Sequence, residues 1–523
     1  MAVTIPRATG RGLMASRERI ASAGVARRAC GNPTLVALGL VIAGLALPTT
    51  ATANWTFTPR VSVTGELTDN ATLAPRGSEE WDFITSVNPG FSLRRDDGRL
   101  QASINYSMNN RFYARETGQD RTSHRLAGTG TAEVIRETFF IEATALRTEQ
   151  ADSLLGPVGV GGSTPRENLR ETTRYSISPY LITRYGRFAT QQLRYRFSEV
   201  LNHRSTQGDS HTHATSYQLN SGPAFNRPFW QLAADYREER FDNAPTGEFG
   251  SVSGTAGYQF SRFFSSYVQV GRDYNNFETL RDDEDDTFWE VGATWTPTRA
   301  TSVQASYGER YFGKNRAISA RHASRRASYR LSYSERITST QRTTQFFRED
   351  LLLQEIIDLI GEGGIFDDEG NLNIPIDNID DYIDEARVQS FFFVQSWRGA
   401  WQYQTGRSTF RLSGFHTRRE SETDISGQPG GLFESDRQTR GGNASWTWAL
   451  GPRTNTTLSA RFSRSDFADE RQDDLWGLRA AISRQLTPDA RATLSYRHQQ
   501  RESSERAAEY RENALLATFT KEF

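Results

Sequence analysis

The sequence predicts an all-β fold: a transmembrane, antiparallel up-and-down β-barrel of about 22 strands (range roughly 18 to 22) with one long, partly helical extracellular loop. Three observations predict it. In LQASINYSMNN, Leu100, Ala102, Ile104, Tyr106 and Met108 alternate with Gln101, Ser103, Asn105, Ser107 and Asn109, so a strand here has one apolar and one polar face. The 523-residue chain is only 36% hydrophobic and has a mean hydropathy of −0.64. That is thin for the buried cores of a soluble protein this long, but sufficient for a wall one residue thick whose inner face meets water. Finally, the connections between alternating segments are short and long in turn, the rhythm of periplasmic turns and outer loops.

Residues 1–53 read as an export leader. Arg7, Arg11, Arg17, Arg19, Arg27 and Arg28 precede the 13-residue apolar run Leu35 to Leu47, and Ala51-Thr52-Ala53 is a small-residue cleavage site. A helix of 13 residues cannot cross a hydrocarbon core of about 30 Å, so cleavage near Ala53 is expected rather than a retained anchor. Cys30, the only cysteine, lies inside this leader and before the apolar run, which argues against a lipoprotein anchor. Residues 54–523 therefore carry no thiol for a Cys nucleophile or Cys-zinc site, a composition suited to the outer membrane of a Gram-negative bacterium.

Alternation starts at once in WTFTPRVSVTGEL (Trp55 to Leu67), so no plug domain is expected ahead of the barrel. Short turns are predicted at Asp97-Gly98, Tyr185 to Arg187, Ser261-Arg262, Thr296 to Arg299, Thr405 to Arg407, Gly451 to Arg453 and Thr487 to Asp489. Longer connections fall near Asp69 to Glu80, Arg147 to Arg170, Val200 to His211, Asp273 to Asp286 and Ser421 to Arg437. Between them Tyr329, Leu331 and Tyr333 oppose Arg330 and Ser332, Trp397 and Trp401 oppose Arg398 and Gln402, and Phe410 and Leu412 oppose Arg411 and Ser413. The apolar set is assigned to lipid, which leaves Arg111, Arg330, Arg398, Arg411 and Arg461 as candidate pore-lining residues. Aromatics such as Trp55, Trp81, Phe112, Trp289, Trp295, Trp446, Trp448 and Trp476 crowd strand ends, as interfacial girdles require.

The count is 22 if a short pair spans Thr301 to Phe312 and Arg316 to Ala323, and 20 otherwise. Across 470 residues, 22 strands leave roughly 21 residues per strand and connection. Barrels this wide are normally plugged, so something should narrow the lumen. The one long irregular insertion runs from about Gln341 to Val388. Within it Leu352, Leu353, Ile356, Leu359 and Ile360 share a helical face that ends at Gly361, Gly363 and Gly364. That stripe needs cover. It acts either as a lid on the pore mouth or as a loop packed on its neighbours.

The chain ends NALLATFTKEF, with Leu515, Ala517, Phe519 and Phe523 on one strand face. Phe519 and the terminal Phe523 resemble the closing-strand signal read by the barrel-assembly machinery; Lys521 stands where an apolar residue is usual.

Charge is unevenly distributed. Taking the leader's six Arg and Glu18 from the 62 basic and 63 acidic residues leaves 56 and 62. Residues 349–386 hold 13 acidic and no basic residues, so the remainder is positive, 56 against 49. Its basic groups are arginine, apart from Lys314 and Lys521. Guanidinium forks suit carboxylate, sulfate and phosphate, and a positive lumen attracts polyanions and sugars. The same arginines can equally brace a hydrated wall against Asp and Glu, or meet lipopolysaccharide phosphates outside.

Catalytic motifs are not found: there is no GxSxG elbow, HExxH pair or phosphate-binding glycine loop, and no cofactor is expected. His211 and His213 share a strand face but no third metal ligand is specified nearby, so a polar rim is the better reading. FDDEGNLNIPIDNIDDYIDE (Phe366 to Glu385) has carboxylates enough for calcium, yet Gly370 is misplaced for an EF-hand loop. Nothing points to nucleic acid.

Two segments, VSVTGELTDNATLAP (Val61 to Pro75) and RRASYRLSYSERITSTQ (Arg325 to Gln341), resemble the outer-membrane β-barrels associated with the PEP-CTERM/exosortase system. The resemblance implies a non-enzymatic role in moving or anchoring exopolysaccharide, in partnership with its export apparatus, and carries no catalytic residues. The expected function is an outer-membrane conduit for exopolysaccharide export. A general small-solute porin and a non-transporting scaffold that binds polysaccharide remain the alternatives.

Overall fold

The computed structural model describes residues 55–152, 156–203, 208–242, 245–277, 286–339, 391–422 and 436–523. The leader, the 341–388 insertion with Leu352, Ile356, Leu359 and Ile360, and its acidic carboxylates lie outside the described residues.

Among the described residues there are 22 strands. The first are β1 (Trp55–Thr68), β2 (Asp82–Asp96), β3 (Leu100–Tyr113), β4 (Arg121–Ile135), β5 (Phe139–Ala151), β6 (Leu169–Tyr185), β7 (Ala189–His203) and β8 (Ser210–Ser221). Next come β9 (Pro228–Phe241), β10 (Gly247–Ser261), β11 (Phe264–Asn276), β12 (Thr287–Thr298), β13 (Thr301–Arg310), β14 (Gly313–Ala323) and β15 (Ala327–Ser339). The circuit is completed by β16 (Phe391–Gln404), β17 (Ser408–Ser421), β18 (Arg437–Gly451), β19 (Thr454–Phe467), β20 (Gln472–Thr487), β21 (Ala490–Ser503) and β22 (Tyr510–Glu522). Each strand pairs antiparallel with the next, and β22 closes on β1 with Val63 opposite Phe519 and Leu67 opposite Leu515. Closure leaves no edge, so every spanning strand has hydrogen-bond partners on both sides inside hydrocarbon.

The period-2 pattern sorts side chains as the sequence requires. On β1, Ser62, Thr64, Glu66 and Thr68 are buried inside, while Val63 and Leu67 are exposed outside. On β11, Val268 and Val270 are at least half exposed, which in water would be costly and in lipid is not. Stacked aromatics mark the outer face: Phe410 and Trp446 lie 5.9 Å apart, Trp446 and Trp448 5.7 Å, and Tyr333 and Trp397 4.3 Å. Such rings suit the headgroup levels.

Short turns gather at one end and carry their own caps. Asp97 accepts the backbone N–H groups of Arg99 (3.0 Å) and Leu100 (2.8 Å), and Thr405 Oγ1 accepts that of Ser408 (2.9 Å). The long connections lie at the opposite end. The uncertain short pair is real: β13 and β14 are joined across Tyr311 and Phe312, an exception to the rule of long outer loops.

Next to that short hairpin, an aromatic cluster bridges distant strands. Phe391 lies 6.0 Å from Phe241 and 5.1 Å from both Phe249 and Phe277, joining the start of β16 to the ends of β9, β10 and β11.

Candidate functional site

A single connection defines the site. Between β5 and β6 the segment Ser153 to Pro165, SLLGPVGVGGSTP, carries no charge. Its described part does not stand in solvent. The Val160 N–H donates to Gln499 Oε1 (2.8 Å), Gln499 Nε2 donates to Ser163 Oγ (2.7 Å), the Tyr510 hydroxyl donates to Val158 O (2.5 Å), and Arg501 Nη1 donates to Gly156 O (2.6 Å). Back on its own side, Arg121 of β4 donates to Gly162 O (2.7 Å) and Thr164 O (3.2 Å). From β5 to β21 is six of the 22 inter-strand steps in the circuit, about 29 Å of wall at ~4.8 Å each, so the loop lies against the inner face of the sector formed by β4 to β1, β22 and β21.

The local sequence permits this approach. A Cβ at Gly159 would sit 2.1 Å from Ser163 Oγ and 2.7 Å from Leu73 Cδ1, so only glycine fits between them. Gly161 and Gly162 take φ of +71° and +78°, the left-handed region that turns the chain back on itself.

The wall under the loop is a lattice of alternating charge. Glu66 accepts Arg111 Nη2 (2.8 Å) and Arg497 Nη2 (2.6 Å); Arg497 also reaches Glu512 (2.9 Å), which accepts Thr68 Oγ1 (3.0 Å) and is bonded by Gln499. Glu66, Glu512 and Gln499 are at most 1% exposed. A buried ion alone would cost several kcal/mol, and two guanidiniums alternating with two carboxylates offset that cost. Beside them Asp473 gathers Arg501 (2.7 Å) and Arg471 (2.9 Å). The anchors of the loop, Gln499 and Arg501, are thus themselves held rigid.

Elsewhere on the inner wall, a recess of about 590 Å³ opens between β7 to β11 and the ends of β13 to β15. Arg194, Arg237, Arg310, Asp235, Asp273 and Tyr311 are among its lining residues.

The sequence-derived candidates take up the following positions. Arg111 is buried in the lattice. Arg330 lies between outward-facing Tyr329 and Leu331, Arg411 precedes outward-facing Leu412, and Arg398 lines a second recess of about 570 Å³, so all three alternate with the lipid-facing set. Arg461 pairs with Asn443 and Gly477 in register, on the face opposite Leu458. Phe519 is exposed on the outer face, and Phe523 donates its N–H to Pro59 O (2.9 Å). His211 and His213 have rings 5.7 Å apart, and His213 Nδ1 is bonded to Tyr195 OH (2.7 Å).

The site residues that sequence reasoning missed are Gln499, Arg497, Arg501 and Tyr510, together with the β5–β6 loop. One signal could have found the loop: thirteen uncharged residues rich in glycine, within a chain that is 24% charged.

These features define a closed, 22-stranded membrane barrel of outer-membrane transporter-like fold. No protein-family profile matches the chain, and no curated protein does. Among solved structures, the FrpB iron transporter from Neisseria meningitidis (F3-3 variant) is 11% identical over 89% of this chain and 81% of that one, with a TM-score of 0.50. The siderophore receptor PirA from Pseudomonas aeruginosa is 12% identical over 90% and 81%, with a TM-score of 0.45. At such identities the likeness is one of fold.

Proposed function

We propose that this chain, after cleavage of its leader near Ala53, is an outer-membrane conduit for a hydrophilic cargo, taking part in exopolysaccharide export. The observation that carries the conduit reading is the inner wall: arginine-bearing, facing water, and overlain on one sector by a loop whose anchors are built into β21 and β22. The cargo class rests on the likeness of Val61 to Pro75 and Arg325 to Gln341 to exosortase-associated barrels. Lipid and lipopolysaccharide surround such a barrel, the barrel-assembly machinery inserts it, and an export apparatus feeds it. Driving force would come from elsewhere, because the sequence has no phosphate-binding glycine loop.

Planar-bilayer recording tests this. Replacing Arg330, Arg398 and Arg411 together by Gln should lower anion selectivity; unchanged selectivity would reduce these arginines to wall bracing. A knockout strain should lose surface polysaccharide.

One observation favours a second reading, the small-solute porin. A loop folded inward and bonded to the wall at β4 and β22 narrows the lumen, and a polymer needs a wider continuous path than a small solute. A knockout that keeps its surface polysaccharide and loses nutrient uptake would decide for the porin.

A further inference from the structure

Three arginines facing the 590 Å³ recess share a construction. Arg194 is held by Glu142 (2.9 Å) and Ser178 (3.1 Å) with its guanidinium 4.1 Å from the Tyr180 ring centroid. Arg237 is paired with fully buried Glu239 (2.7 Å) and lies 4.4 Å from the Phe249 ring. Arg310 is paired with Asp273 (3.1 Å) and lies 4.1 Å from the Phe288 ring. Each guanidinium is therefore fixed on one edge by a carboxylate and on one face by an aromatic ring.

A guanidinium carries five N–H donors, more than one carboxylate and one hydroxyl can take. Pinned in this way, it presents its remaining donors without the entropy loss of a mobile side chain. Two further arginines, Arg196 and Arg336, line the recess together with Asp235 and Glu335, so with Glu142, Glu239 and Asp273 on the first three the five guanidiniums are matched by five carboxylates and the recess holds no strong attraction for a dense polyanion. Around the arginines stand acceptors and hydroxyls, Asp235, Ser198, Thr212, Ser251 and Asn275, with Tyr311 as an aromatic face. Planar donors, carboxylate acceptors and an aromatic face are what a polyhydroxylated ring requires, and about 590 Å³ lies within the usual range for a ligand site.

We infer that this recess is an oligosaccharide-binding site for neutral or sparsely acidic sugars, and not for densely charged polyanions. The inference rests on the conduit reading for its place along the path, but its chemistry stands on the recess alone.

The full-length barrel in detergent, titrated calorimetrically at physiological salt, tests it with three probes: maltohexaose, 3′-sialyllactose, which carries one carboxylate on three rings, and inorganic polyphosphate. Both sugars should bind with comparable affinity and polyphosphate more weakly. Substituting Arg237→Gln with Arg310→Gln should weaken both sugars at least about tenfold. Phe249→Leu, which removes the ring under Arg237 without changing charge, should weaken them as well, and heat-modifiable gel migration reports that each variant is assembled. Tighter binding of polyphosphate than of either sugar, no sugar binding, or sugar affinity untouched in assembled variants would overturn the inference. The wild-type comparison decides even if both variants fail to assemble. Sugar binding in a barrel that conducts nothing would remove the conduit and leave the recess; conduction without sugar binding would do the reverse.

Discussion

Gln499 clamps Val160 from six strands away around the barrel: its carboxamide oxygen accepts the Val160 N–H at 2.8 Å while its nitrogen donates to Ser163 Oγ at 2.7 Å. One inner-wall side chain thereby uses both ends on one loop, and its second N–H on Glu512. The loop is consequently as rigid as the wall that holds it, and disturbing it has predictable consequences.

Gln499→Ala removes both loop bonds at once and leaves the Val160 N–H without its acceptor. At about 1 kcal/mol net for each neutral hydrogen bond, the loop should loosen by roughly 2 kcal/mol without unfolding the barrel. Single-channel conductance should rise and heat-modifiable migration should stay as in the wild type. Tyr510→Phe, which removes only the bond to Val158, should give a smaller increase.

Gly159→Val should act more strongly than either. Its Cβ would sit 2.7 Å from Leu73 Cδ1 and 2.1 Å from Ser163 Oγ, both parts of packed segments, so the loop cannot seat. Limited proteolysis should cut within residues 156–165 of this variant and spare the wild type.

Glu66→Gln leaves Arg111 and Arg497 facing one another with only Glu512 to balance them. Losing one partner from a buried charged network typically costs about 3 kcal/mol or more. The urea midpoint of unfolding in lipid vesicles should fall clearly, whereas Arg411→Gln, at a position exposed on the inner face, should leave it nearly unchanged.

Asp97 tests the short turn between β2 and β3. The Arg99 N–H, the Arg95 guanidinium and the Leu100 N–H together hold its carboxyl below the usual carboxylate range. A depressed folded value means the turn's stabilisation is complete above the unfolded pKa, near 3.9, and is lost as pH falls through the folded value. Carboxyl-carbon NMR should show Asp97 titrating below ordinary aspartates, and Asp97→Asn should abolish the acid-dependent opening of this turn.

Much of the fold was legible without coordinates because a membrane wall is a local code. Leu412 next to Arg411, or Val63 between Ser62 and Thr64, reports its face from its immediate neighbours, since period 2 and two different solvents leave no other arrangement. Strand number followed from the same alternation, down to the short pair β13 and β14. The path of the β5–β6 connection was not legible: Gln499 and Val160 are more than three hundred residues apart, and only closure of β22 on β1 brings β21 within reach of a loop from β5. The pairing of Arg194 with Glu142 and of Arg310 with Asp273 was likewise decided by tertiary structure, whereas Arg237 and Glu239, two residues apart on one face of β9, pair locally. Sequence determines which side of the wall an arginine faces, because that depends on neighbours along one strand; which carboxylate meets it depends on where other strands stand around the cylinder.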